Sequence, residues 1–216
     1  MAEYEGPVCA TCRVTACDVE PGTKPVPHSC PMAAEPELLR RSGESYLSDP
    51  ELARMAREAA RTEAAGYCQA TRVEETMDFA RRMGWRRLGI AHCMGLMNEA
   101  KIAREIFLAH GFEVFTACCK AGSFEKTAQL GIDEEEKVHP GTYEAMCNPV
   151  GQAALLAEAG TELNVLMGLC VGHDSIFFMH SKAPVTVLVV KDRVLAHNPV
   201  AALYTSGTYY RKLFQE

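Results

Sequence analysis

The chain has 216 residues, is 48% hydrophobic and 23% charged, and carries a net charge of −6. This composition allows one α/β domain with a small appended module and argues against global disorder. An acidic balance without a long basic run speaks against a nucleic-acid surface, and no apolar run approaches a membrane span.

Residues 1 to about 46 read as irregular, because Pro7, Pro21, Pro25, Pro27, Pro31 and Pro36 punctuate them and little apolar material is available for a core. From Ser48 the pattern turns helical, with Pro50 in the first turn and Leu52, Met55, Ala56 and Ala59 on one face as far as Gly66. A second helix starts at Thr71, where Glu74 completes a capping box, and ends near Gly84. Strands are expected at Leu88–Ala91, Phe112–Ala117, Leu163–Leu169 and Val185–Val190. Helices alternate with them at Leu96–His110, near Phe124–Leu130, from Pro149 to Ala159, and from Asp174. Lys191-Asp192 reads as a tight turn into Arg193-Val194-Leu195, which would finish the sheet with an antiparallel hairpin.

This alternation predicts a mostly parallel sheet with helices on both faces, a Rossmann-like or flavodoxin-like three-layer α/β fold. The domain expectation is a cysteine- and proline-rich metal-binding module over residues 1–46 and an α/β domain over 47–216. The N-terminal residues Met1 to Gly6 lack the basic and apolar regions of a signal peptide, so a cytoplasmic location is expected. Thiols stay reduced in that compartment, and clustered cysteines there read as metal ligands or reactive groups.

The ten cysteines form two populations. Cys9, Cys12, Cys17 and Cys30, spaced C-x2-C-x4-C-x12-C, can supply four thiolates to a tetrahedral zinc, with His28 as a substitute or supporting donor. The same thiolates could instead hold an iron–sulfur cluster. Among the others, Cys93, Cys118, Cys119 and Cys170 each follow an apolar run, and Cys147 precedes a helix. Two patterns recur: Cys-x-Gly after a strand, at Cys93 and Cys170, and Asn-Pro-Val at a helix start, after Cys147 and after His197. Ligands of open α/β sheets bind outside the carboxyl ends of the strands. Cys93, Cys118 or Cys119, Cys147, Cys170 and His173 are therefore the candidates for one metal, iron–sulfur, redox or small-molecule site, with His92 and His197 nearby. A thiol enzyme is the competing reading, with Cys93 or Cys170 as nucleophile, His173 as base and Asp174 or Asn198 as the orienting group. A zinc-stabilised interaction module is a third. Walker, dinucleotide and serine-elbow signatures are absent from the sequence.

With these residues in view, the chain resembles an uncharacterised prokaryotic family described as metal-binding, the domain of unknown function DUF1847. The likeness rests on Cys9-Ala10-Thr11-Cys12 with Cys17 and Cys30, on Gly168-Leu169-Cys170-Val171-Gly172-His173-Asp174, and on Val189-Val190-Lys191-Asp192-Arg193 through His197-Asn198-Pro199. It extends over essentially the full length. It implies metal binding, with the four N-terminal cysteines as zinc ligands, and supplies no substrate or oligomeric state.

Overall fold

The computed structural model describes residues 6–215. The chain divides into two compact units, Met1–Arg61 and Thr62–Glu216.

The first unit opens with two short 3-10 turns at Cys9–Thr11 and Ala16–Asp18. Three helices follow: α1 (Pro31–Ala34), α2 (Pro36–Ser48) and α3 (Pro50–Gly66), the last of which contains the division between the units. The irregular stretch expected from the prolines therefore ends near residue 30. Pro31 and Pro36 stand at helix starts, where a missing N–H breaks no intrahelical bond and the fixed φ already suits the helix. Asp49 then caps α3, its Oδ1 accepting N–H groups from Glu51 (3.0 Å) and Leu52 (3.1 Å). Ala16 is the only buried hydrophobic residue among the described residues of this unit.

The second unit carries the sheet. Helix α4 (Arg72–Arg82) begins with the expected capping box, in which Thr71 and Glu74 satisfy each other's backbone N–H groups. It is followed by β1 (Arg87–His92), α5 (Met97–Ala109), β2 (Glu113–Cys118), α6 (Lys126–Leu130) and α7 (Pro149–Glu158). The chain continues through β3 (Leu163–Met167), α8 (His173–His180), β4 (Val185–Val189) and α9 (Val200–Tyr204). Among the described residues the sheet has four strands in the order β2-β1-β3-β4, every neighbouring pair parallel.

Helices cover both faces. On one, Met77 and Ala80 of α4 and Ala100, Ala103 and Phe107 of α5 pack on Leu88, Ile90, Val114, Leu163, Val165 and Met167. On the other, Ala153 and Leu156 of α7 and Phe177 of α8 pack on Ala91, Ala117 and Leu166. Central β1 and β3 are buried on both sides, which is why they read as continuous apolar runs. Gly89 sits in the middle of β1, where a Cβ would run into Oδ1 of the buried Asn164 and press on Leu156.

The antiparallel hairpin expected after β4 does not form. The Asp192 carboxylate accepts N–H groups from Val194 (2.9 Å) and Leu195 (2.8 Å), curling the chain into turns. Ala196 and His197 follow at φ 51° and 63°, left-handed geometry that no strand can contain. Val194, at 78% exposed, gains nothing from extension. No helix among the described residues is long and apolar enough to cross a membrane.

Candidate thiol site at the strand ends

Register places the site. His92 of β1 pairs with Cys118 of β2, and the Cys119 N–H continues the ladder onto the His92 carbonyl (2.9 Å). Cys93 and Cys119 are thus neighbours one step beyond the paired strands, and both sit in the apolar cluster under α7 and α8. Cys147 is brought to them by the connection from β2 to α7. The Asn148 N–H donates to the Cys119 carbonyl (2.7 Å) and its Nδ2 to the Ala121 carbonyl (3.1 Å), while its Oδ1 caps α7 at the Gly151 N–H (2.8 Å). Lys120 Nζ donates to the Ala145 carbonyl across the same neck. Fully buried Gln152 ties the two strand ends together, its Nε2 donating to the carbonyls of Ala117 (2.7 Å) and His92 (3.1 Å). Inside the loop, ion pairs join Lys126 to Glu144 (2.6 Å) and Lys137 to Glu134 (2.7 Å).

The result is a series of neighbouring side chains, Cys93–Cys119–Cys147–His173, whose protonation states act on one another. Cys119, 2% exposed, is the middle member, and Cys147 is half-buried. All of these thiols are free. Hydrogen bonding to Cys119 lowers the Cys93 pKa, helped by the Gly95 N–H and Lys191 and opposed by burial. Hydrogen bonding to Cys119 likewise lowers that of Cys147, with His173 next in effect and Lys120 adding its charge. Cys119 itself is pushed up by Cys147, by Cys93 and by burial, although the Met94 N–H points at its sulfur (3.3 Å). These directions agree with two thiolates flanking a protonated thiol. A single S–H can serve only one flank at a time, so the two thiolates compete for it. The pKa of His173 is raised, chiefly by Cys147 beside it, and its buried Nδ1 has no hydrogen-bond partner within the protein. Three helix starts meet here: the 3-10 turn Met94–Leu96 leading into α5, then α7, then α8. The positive ends of their peptide dipoles favour negative charge.

The other expected residues make contacts of their own. Cys119, rather than Cys118, occupies the centre of the series. Cys170 accepts a hydrogen bond from Arg193 Nη2 (3.0 Å), and the same arginine feels the charges of Cys93 and Cys147. Asp174 Oδ1 accepts the N–H of its neighbour Ser175 (2.8 Å) within the first turn of α8, whose cap is Gly172. His92 is buried, with Nδ1 against the Cys93 carbonyl (3.1 Å). His197 Nδ1 accepts the Asp192 N–H (3.2 Å), and His197 lines a separate cavity with Leu96, Val189 and Asn198. Helix α9 is preceded by Pro199 as its cap, so Asn198 does not repeat the role of Asn148. Lys191, read as part of a turn and of the segment that carries the family likeness, is not among the expected site residues, yet it lies beside Cys93.

In the first unit Cys9, Cys12, Cys17 and Cys30 line one cavity of about 340 Å³. The backbone N–H groups of Thr15 and Val14 hold the Cys12 pKa below the ordinary thiol range. Among the described residues no group of three or more His, Cys, Asp or Glu side chains is arranged to hold a metal ion.

The sequence model of a family described as a protein of unknown function, DUF1847, matches residues 30–188. The chain belongs to the DUF1847 family. The matched span contains the whole thiol series and Cys170, but of the four N-terminal cysteines only Cys30; it is shorter than the full-length likeness expected. The uncharacterized protein MJ0455 of Methanocaldococcus jannaschii is similar, 45% identical over 180 residues that cover 83% of this chain and 89% of that protein.

Proposed function

We propose that this member of the DUF1847 family works by thiol–disulfide exchange at the strand ends, Cys147 attacking and Cys119 resolving. One observation supports this above others: the connection into α7 holds the half-buried Cys147 against the apolar cluster that contains the enclosed Cys119, with the Asn148 N–H on the Cys119 carbonyl (2.7 Å), and Cys119 and His173 together hold the Cys147 thiol acidic. A thiolate beside an imidazolium and a helix start is a nucleophile at neutral pH. In the first step Cys147 attacks one sulfur of a substrate disulfide. A mixed disulfide forms and the other half leaves as a thiolate, with the His173 imidazolium beside it as proton donor. Capture removes the Cys147 charge that holds Cys119 protonated, so the Cys119 thiol can ionise. It then attacks the Cys147 sulfur and expels the second half. Two protein thiols become a disulfide while one substrate disulfide becomes two thiols.

For the first unit we propose a structural zinc on Cys9, Cys12, Cys17 and Cys30. The support is a unit with a single buried hydrophobic residue among its described residues, four thiols around one cavity, and a Cys12 thiol already held acidic by the backbone of Thr15 and Val14. Such a site closes a fold that lacks a core and supplies no chemistry of its own.

The exchange reading is tested by mixing reduced, metal-depleted protein with an aromatic disulfide that releases a coloured thiolate. At one equivalent of disulfide, with release assigned to this site by peptide mapping, wild-type protein should release two equivalents of thiolate, Cys119→Ser one equivalent with the other half retained on Cys147, and Cys147→Ser none. Release from this site that survives Cys147→Ser would overturn it.

A further inference from the structure

Exchange between Cys147 and Cys119 needs only two thiols, yet a third stands on the far side of Cys119. Cys93, 9% exposed, follows β1 as Cys119 follows β2, and neighbouring strands run about 4.8 Å apart. That spacing falls within the Cα separations, about 4.4–6.8 Å, that a disulfide spans. The two side chains share one apolar cluster, and Cys119 lowers the Cys93 pKa. On its other side Cys93 receives the Gly95 N–H and lies beside Lys191. A side chain on Gly95 would have its Cβ 3.6 Å from the Lys191 ammonium.

We infer that the three thiols form a relay in which Cys93 takes the disulfide from Cys147, so that oxidised protein stores it inside as Cys93–Cys119. This rests on the exchange reading above. The Cys93 thiolate attacks the Cys119 sulfur of the Cys119–Cys147 disulfide. A Cys93–Cys119 bond forms, the old S–S bond breaks, and its electron pair leaves on Cys147 as a thiolate next to His173. The step is an internal exchange in which no outside oxidant or reductant takes part. Cys119 is the shared sulfur: it lies beside Cys93 across the β1–β2 pair and beside Cys147 through the Asn148 N–H on its carbonyl (2.7 Å). The functional consequence is a second activity. Once Cys119 is engaged with Cys93, the regenerated Cys147 thiolate has no resolving partner. It then captures half of a further small disulfide and carries it as a stable mixed disulfide.

The test uses the full chain, reduced and then oxidised with hydroxyethyl disulfide, first at one equivalent and then in excess. Free thiols are alkylated and peptides mapped without reduction. At one equivalent, wild-type protein should hold Cys93–Cys119 with Cys147 alkylated; in excess, Cys147 should carry one hydroxyethylthio group. Cys93→Ser should hold Cys119–Cys147 under both conditions and carry no such group. A wild-type map showing Cys119–Cys147 overturns the relay and leaves the exchange reading standing. A map with no disulfide among the three overturns both. The wild-type map decides even if Cys93→Ser does not fold.

Discussion

Removing the middle thiol, Cys119→Ala, should raise the pKa of Cys147. The sign follows from charge: the Cys119 S–H stabilises the thiolate form of its neighbour, so deleting the donor makes ionisation harder. A hydrogen bond to a charged group contributes about 1.5–3 kcal/mol, and a tenfold change in acidity corresponds to about 1.4 kcal/mol. Losing a donor fully committed to Cys147 would therefore weaken its acidity by about 10- to 100-fold. Sharing with Cys93 places the expected value near the lower end. His173 and Lys120 remain, so the thiol should stay below its ordinary range. The assay is the iodoacetamide alkylation rate of Cys147, followed by peptide mass between about pH 4 and 9. With the wild-type midpoint at about 4, the variant's midpoint should lie about one pH unit higher, and near pH 4 it should react roughly five-fold more slowly. Cys119→Ser, which keeps an O–H donor, should show a smaller effect. An unchanged profile in Cys119→Ala would refute the assignment of Cys119 as a donor to Cys147.

Gly89→Ala should destabilise the second unit by about 1–3 kcal/mol, because the added methyl meets Asn164 and Leu156 in a packed layer; the urea midpoint measures it. Cys12→Ala should lose one zinc per chain by elemental analysis, whereas Cys93→Ser should lose none. Iron with inorganic sulfide in place of zinc would contradict the structural-zinc proposal.

The α/β alternation was legible because strands buried on both faces leave continuous apolar runs, and because the caps at Thr71 and Asn148 are short-range chemistry. Proline was the ambiguous signal. It can break a helix or begin one, and Pro31 and Pro36 do the latter, where sequence density alone suggests irregular chain. Convergence at the strand ends was readable from position, but the choice between Cys118 and Cys119 was not. It depends on which face of β2 carries α7, a fact fixed by tertiary packing. Lys191 escaped for a related reason. Its relation to Cys93 arises only when the segment after β4 folds back over the start of α5, and no local pattern records that contact.

The central claim is that the strand-end series is chemically active rather than packing. Its most direct measurement is a timed alkylation of the reduced, metal-depleted protein at neutral pH, with all ten cysteines followed separately. Cys147 should modify first, ahead of the exposed Cys68, with Cys119 last. If Cys147 reacts no faster than Cys68, the thiolate is not held as described and the exchange reading fails.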